Sequence, residues 1–322
     1  MSDRTDYDAF LATSRQRTIF AESWWLDTTA GVDGWSPNVL RAGDGAVRAA
    51  WPAPTRTTSR GALSVTAPYT PFLGPQLPDR AAGVARVSAD VELLEALAAL
   101  LGAAAHVESA SPPELDYWTP LSWHGFAQTT RTTWRITHST DMNALRAGMR
   151  KGTRNALSAA ERDGLVVDLG TVEELLAACA ATFAQQDIDN VPARDVLERV
   201  ARTALERGRG HILAVRAADG ALAAAGLFVW DDRWTWNLAN GRIADSGATG
   251  APTILLWHAI CAAMKRRTGF DFEGSMLQPV ERFVRGFGGE PHGYSVVRRS
   301  SPAWVRVVAR KRLIKRLTRL AR

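Results

Sequence analysis

The spacing of apolar and polar positions changes several times along the 322 residues, and each change marks an element. Residues 19–26 carry the period of a short helix with paired Trp24 and Trp25. Two strands, 38–41 and 46–51, flank the turn Ala42-Gly43-Asp44-Gly45, and a third strand covers 62–66. Prolines recur through 67–75 and bar both helix and central strand, so this stretch reads as a rigid rim. Ser88 is placed to cap a helix reaching Ala105, with Asp90 and Glu92 in its positive first turn.

The later part is more regular. Residues 129–137 alternate as a strand carrying Trp134 and Ile136, and a long helix is expected from Ser139 or Thr140 to Asp163-Gly164. A strand at 166–169 is followed by Thr171-Val-Glu-Glu174, a capping box that opens a helix ending near Gln185. A second helix spans 193–207. Three strands, 211–216, 223–230 and 234–239, then meet at Asp219-Gly220 and Asp231-Asp232 turns. Pro252 suits the first turn of a helix through Arg266.

The stretch Gly269-Phe-Asp-Phe-Glu-Gly-Ser275 is the most informative. Its Phe/acid alternation is too short for a helix and reads as a buried strand ending in a carboxylate beside glycine. A short helix follows with Val280, Phe283, Val284 and Phe287 on one side, stopped by Gly288-Gly289 before a strand from Tyr294 to Arg298.

Composition narrows the classes. The 46% hydrophobic and 22% charged content is that of a globular chain. Net charge is +6, but the last 21 residues hold eight Lys/Arg and no acid, which leaves the body at −2 and gives no ground for sequence-specific nucleic-acid readout. Cys179 and Cys261 sit in apolar helical runs, as core cysteines of a reduced, cytoplasmic protein do. The six histidines lack metal-ligand spacing, so no metal is expected. No signal peptide or spanning segment is read. The segment Ser111–Asp116 gives the best boundary, dividing the chain into 1–115, 116–300 and a basic tail 301–322.

Phe-Asp-Phe-Glu-Gly-Ser before a helix ending Phe-Gly-Gly and then Tyr resembles the last strand–helix–strand unit of the FemAB-like branch of the GNAT acyltransferases. Trp118-Thr-Pro-Leu-Ser-Trp-His-Gly-Phe126, Thr132-Thr-Trp134 and the basic helix Met149–Ala156 agree with it. The resemblance implies an α/β (α+β) fold of tandem GNAT-like domains, the first degenerate, with mixed and mostly antiparallel sheets flanked by helices. It implies an N-acyltransferase that takes an acyl group from acyl-CoA or an aminoacyl group from aminoacyl-tRNA. The acceptor would be a small-molecule or lipid-linked amine of a cell-envelope precursor or related metabolite. An acetyl-CoA-dependent enzyme acting on a sugar or small amine, or a non-catalytic membrane-associated binding protein of the same fold, are the alternatives.

By the resemblance, the donor's phosphates lie against Gly247, Ala248, Thr249, Gly250 and Ala251, with Arg242 just before them, although no Gln/Arg-x-x-Gly-x-Gly/Ala run is present. A small-residue loop that simply starts a helix fits as well. Glu273 is the expected base, or else a structural strand-end acid. Asn237 is its expected catalytic companion, and Asn240 a contact to the acceptor, unless both serve the turn. Arg150, Lys151 and Arg154 would grip an acceptor phosphate or form a solvated helix face. Trp123 and Trp134 would wall the acceptor cleft or fill core, with Ser275 and Tyr294 nearby. The tail from Trp304 forms a basic amphipathic helix, read as an anchor on an anionic membrane, with a docked or disordered extension as the alternative.

Overall fold

The computed structural model describes residues 3–59, 61–186, 193–243, 246–274, 276–306 and 308, without the side chains of 185 and 186. In chain order the elements are α1 (Asp3–Leu11), α2 (Ser23–Ala30), β1 (Trp35–Ser36), β2 (Val39–Arg41), β3 (Val47–Ala50), β4 (Ala53–Thr58), β5 (Gly61–Val65), α3 (Val84–Leu100), β6 (His106–Ala110) and α4 (Thr119–Trp123). These are followed by β7 (Ala127–Ile136), α5 (Met142–Gly148), α6 (Lys151–Arg162), β8 (Val166–Leu169), α7 (Val172–Gln186), α8 (Arg194–Glu206), β9 (Gly210–Arg216), β10 (Leu222–Trp230), β11 (Trp234–Arg242), α9 (Ala251–Arg266), β12 (Gly269–Asp271), α10 (Gln278–Val284) and β13 (Glu290–Ser300). They fold as two units, one of residues 1–130 with 294–322 and one of 131–293. The break after residue 130 lies beyond the expected 115/116, and β13 returns the chain to the first unit.

In the first unit the strand order is β1-β4-β5-β6-β13. β4 and β5 pair antiparallel, β5 and β6 pair parallel with α3 as the crossover, and β13 closes antiparallel on β6. Parallel neighbours need such a crossover because a tight turn cannot join them. β2 and β3 form a separate hairpin around the expected turn. Leu93, Leu94, Leu97 and Ala98 of α3 fill one core with Trp51, Val107, Phe126 and Val297.

In the second unit the order is β7-β12-β11-β10-β9-β8. β10 and β11 pair antiparallel, β11 and β12 pair parallel through α9, and β12 pairs antiparallel with β7. The hairpin, crossover and closing strand thus repeat the first unit's topology, so the chain is a tandem of mixed sheets flanked by helices. The expected strand is shorter than its alternation, ending at Asp271 with Glu273 two residues beyond, but it lies inside the sheet and is buried, with Phe270 at 0% and Phe272 at 4% exposure. Both rings join a core with Phe228, Phe287, Ile254 and Ile260, and Phe270 meets Phe272 edge-on at 4.9 Å. Val284 and Phe287 bury the short helix as its spacing requires, and Gly288 at φ 83° ends it.

Several sequence expectations are corrected. Residues 19–26 split into a 3₁₀ turn at Ile19–Ala21 and α2. The helix assigned to Ser88 starts at Val84, after Gly83, and ends at Leu100, because His106–Ala110 is a strand. Asp90 is not a dipole partner in its first turn; it is buried and bonds Arg15 at 2.9 Å. The long helix from Ser139 or Thr140 is two helices. Asp141 caps α5 through the amides of Asn143 and Ala144, and Arg150 breaks the run at ψ 142° because its N–H turns to Gly286 O at 3.0 Å. The capping box is present in both directions: Thr171 Oγ1 accepts the Glu174 amide at 3.2 Å, and Glu174 Oε2 accepts the Thr171 amide at 2.9 Å. The tail beyond 308 lies outside the described residues. Before it, Ser301 Oγ accepts the Trp304 amide, and the Trp304 ring stacks on His106 at 5.9 Å.

Candidate active site

The second unit opens between β11 and β12. The two strands pair only at Trp234↔Gly269, Thr235↔Phe270 and Trp236↔Asp271, after which β12 stops and β11 runs on to Arg242. Asn237 pairs with Phe228 and Ala239 with Leu227, so Leu238 is an extra residue on β11. Such a bulge bends a strand and increases its local twist. Beyond Trp236 the edge of β11 that faces away from β10 has no strand partner among the described residues. Gly241 is required there: a Cβ would stand 2.5 Å from Cys179 N and closer still to the Ala178 carbonyl of α7. Asn240 Nδ2 donates to Asn237 Oδ1 at 2.9 Å, so the structure brings this expected pair together on β11.

β11 leads to the expected donor loop. Arg242 is exposed, and its amide is held by Thr182 Oγ1 at 2.8 Å. Gly247 is exposed at φ 67° with open space around it, whereas Gly250 is buried because a Cβ would meet Ala156 O and Ala160 Cβ at 2.8 Å. The loop satisfies much of its own backbone. Thr249 N–H goes to Gly247 O, Ala251 N–H to Ala248 O, Thr253 N–H to Gly250 O, and Ala248 N–H to Ser246 Oγ. With Pro252 lacking a donor, this conformation offers an anion little beyond the partial charge of the α9 N-terminus.

At the end of β12 the chain turns sharply. Glu273 has φ 64° and Gly274 φ 52°, two left-handed residues in succession. Gly274 is forced, since a Cβ would lie 2.6 Å from Thr133 Cα and nearer still to Thr132 O. Glu273 as a residue is half-buried, but its Oε1 is withdrawn from solvent and has no hydrogen-bond partner among the described residues. Burial, and then the negative charge of Asp271, push the Glu273 carboxyl well above the usual carboxylate range. Asp271 is fully buried. Its Oδ2 accepts Arg135 Nε at 2.6 Å, and its Oδ1 accepts the Thr133 hydroxyl and, at 2.8 Å, the Glu273 amide. The Arg135 guanidinium lies over the Trp234 ring at 4.2 Å.

Along β7, buried Thr133 and Arg135 alternate with half-buried Thr132 and Trp134. Thr132 and Trp134 line a cavity of about 470 Å³ with Met276, Gln278, Glu281 and Pro291. Phe272 N–H bonds Trp134 O at 3.0 Å, so the chain leading to Glu273 runs alongside β7 at a residue that lines this cavity.

Other expected residues stand elsewhere. Trp123 belongs to the first unit and is 59% exposed. Tyr294 is also in the first unit, edge-on to Phe72 at 5.0 Å. Arg150 and Lys151 are exposed at the start of α6, but Arg150 does not share a helix face with Arg154, because it is the N-cap. Arg154 closes α5 by donating to Ala147 O and Met149 O. Ser275 lies outside the described residues. Sequence reasoning missed Asp271, Arg135 and Thr133. The signal was available: a polar residue between two phenylalanines of a buried strand requires a partner on the opposite face. Among the described residues no group of three or more His, Cys, Asp and Glu could hold a metal, and no helix is long and apolar enough to cross a membrane.

The second unit thus combines a short parallel pair inside its sheet, a loop onto a helix N-terminus and a carboxyl just past the end of the shorter strand. Residues 143–279, within the second unit, match the family described as "Acetyltransferase (GNAT) domain", and the match supports an acyltransferase. The whole chain has the fold seen in the FemAB-like branch. A structure of FemX superposes with TM-score 0.68 over 92% of this chain and 96% of that one, at 12% identity. The C-terminal domain (DUF2156) of an assigned lysylphosphatidylglycerol synthetase from Agrobacterium fabrum gives 0.58 over 95% of each, at 13% identity. L-PGS from Bacillus licheniformis gives 0.55 over 98% and 97%, at 11% identity. No curated protein matches the sequence.

Proposed function

We propose that the chain is an N-acyltransferase that passes an acyl or aminoacyl group from an activated carrier to an amine of a cell-envelope precursor or related metabolite. The observation that carries this reading is the short pairing of β11 with β12, which ends just before a buried carboxyl with raised proton affinity. A carrier's amide arm can bond the edge of β11 at 237–240, beyond the end of its pairing with β12, as an added strand would. The acceptor amine enters from the cavity beside Trp134. Deprotonated Glu273 takes the amine's proton as its nitrogen attacks the carrier's thioester or ester carbonyl. Asn237, its oxygen engaged by Asn240, offers its amide N–H groups to the developing oxyanion. Carbonyl collapse then breaks the carrier's C–S or C–O bond, and the departing thiolate or alkoxide takes the proton from Glu273, which restores the base with no covalent enzyme intermediate needed.

The internally bonded loop 246–251 favours an aminoacyl carrier over acetyl-CoA, and the lysyl group named for the lysylphosphatidylglycerol synthetase neighbour supports the same choice. The GNAT family match supports acetyl-CoA as the second reading. The basic tail we assign to an anionic membrane surface that carries a lipid-linked acceptor. Thermal shift with acetyl-CoA, longer acyl-CoAs and aminoacyl-tRNA separates the donors. A true carrier at 100 times its Kd stabilises by about 2.7 kcal/mol. Stabilisation by none of them refutes the reading.

A further inference from the structure

Glu273 holds a backbone conformation that a non-glycine residue adopts only when its surroundings impose it. The imposing group is identifiable. Asp271, two residues earlier, accepts the Glu273 amide on Oδ1 at 2.8 Å, closing an Asx turn across the end of β12. That carboxylate cannot swing away. Thr133 bonds the same oxygen, and Arg135, itself only 3% exposed, bonds the other at 2.6 Å. Both partners come from β7, whose register with β12 sets Arg135 directly opposite Asp271. Gly274 then packs onto Thr132 and Thr133 of the same strand.

We propose that Asp271 is the positioning residue of this site: clamped by Arg135 and Thr133, its carboxylate anchors the Glu273 amide and fixes the left-handed turn that presents the Glu273 carboxyl. This rests on Glu273 being the base. The same carboxylate has an electrostatic effect. Its negative charge opposes ionisation of Glu273, while Arg135 across the pair partly offsets that charge. Trp234 and Trp236, which flank the pair on β11, carry no charge. Asp271 thus fixes where the base sits and, through its charge, how tightly the base holds its proton.

The test compares Asp271→Asn with Asp271→Ala, reading the Glu273 carboxyl by NMR titration, with Glu273→Gln identifying the signal, and the pH profile of kcat. Asn retains an acceptor for the Glu273 amide but loses the charge. The Glu273 titration, and with it the acid limb of the profile, should then move to lower pH by about tenfold in proton concentration. Ala loses the anchor as well, and plateau kcat should fall by about tenfold or more at unchanged donor KM. Because Asp271→Asn leaves Arg135 without its carboxylate, the pair Asp271→Asn/Arg135→Gln gives a second, charge-free background in which the same downward movement is expected. An unmoved titration in both backgrounds, or an Ala variant as active as the Asn variant, overturns the positioning role. Full activity in Glu273→Gln overturns instead the reading of Glu273 as the base, and the NMR titration still decides the effect of Asp271.

Discussion

Replacing Gly241 by alanine measures how tightly β11 is seated. The new Cβ would lie 2.5 Å from Cys179 N and closer to the Ala178 carbonyl, where ordinary contacts begin near 3.4 Å. The obstacle is helix backbone, so relief requires α7 or β11 to move by about 1 Å, not a rotamer change. α7 is held by buried Val172, Leu175, Leu176, Ala178 and Cys179, which places the cost near the upper end of overpacking penalties, about 3 kcal/mol. Gly247→Ala is the control. Gly247 is also a loop-side glycine, at φ 67° but with open space around it, so alanine costs only the left-handed backbone, about 1 kcal/mol. For a unit of this size each kcal/mol moves Tm by about 2–4 °C. Calorimetry should show losses of about 6–12 °C for Gly241→Ala and about 2–4 °C for Gly247→Ala. Equal losses would refute the packing account, because backbone conformation alone cannot penalise Gly241, which has no positive φ.

Glu273→Gln should lower turnover by about 10²-fold or more, measured with the donor that the thermal-shift screen identifies. It should also change the pH dependence of stability. The folded carboxyl binds its proton more tightly than the unfolded one, so the wild type loses stability as pH rises from the ordinary value of 4.5 through the raised folded value. Denaturant titrations should show that slope in the wild type and a flatter one in the glutamine variant. The intact chain should sediment with vesicles of anionic lipid and release as salt rises, while a chain ending at Ser301 should not, and equal sedimentation by both removes the anchor.

The elements that were legible in the sequence are those whose own residues decide them. Thr171 and Glu174 bond each other three positions apart, so the capping box needed no tertiary information. Phe270 and Phe272 advertised a buried strand by alternation. Elements settled by distant partners were not legible. Ser88 is a good cap in isolation, yet α3 begins at Val84, and Asp90 is drawn into the core by Arg15, 75 positions away. The break at Arg150 depends on Gly286 O, which nothing near Arg150 reveals. The site divided the same way. Glu273 was visible as a strand-end acid, whereas Asp271, between two phenylalanines, looked like part of the alternation until β7 supplied Thr133 and Arg135. The recurrence between the units is topological: hairpin, crossover helix and closing strand appear in both, and strand order of this kind is not written in any short stretch of sequence.

The first unit is written in two pieces, and that sets an order of events during synthesis. Residues 1–130 leave the ribosome first, yet β6 lacks its neighbour until Tyr294–Ser300 has followed the whole second unit. Throughout that interval one side of β6 is an open strand edge, the kind of surface that recruits other chains. A nascent chain arrested before residue 294 therefore carries a complete acyltransferase domain and an incomplete companion. The last strand to be translated is the one that seals the first unit.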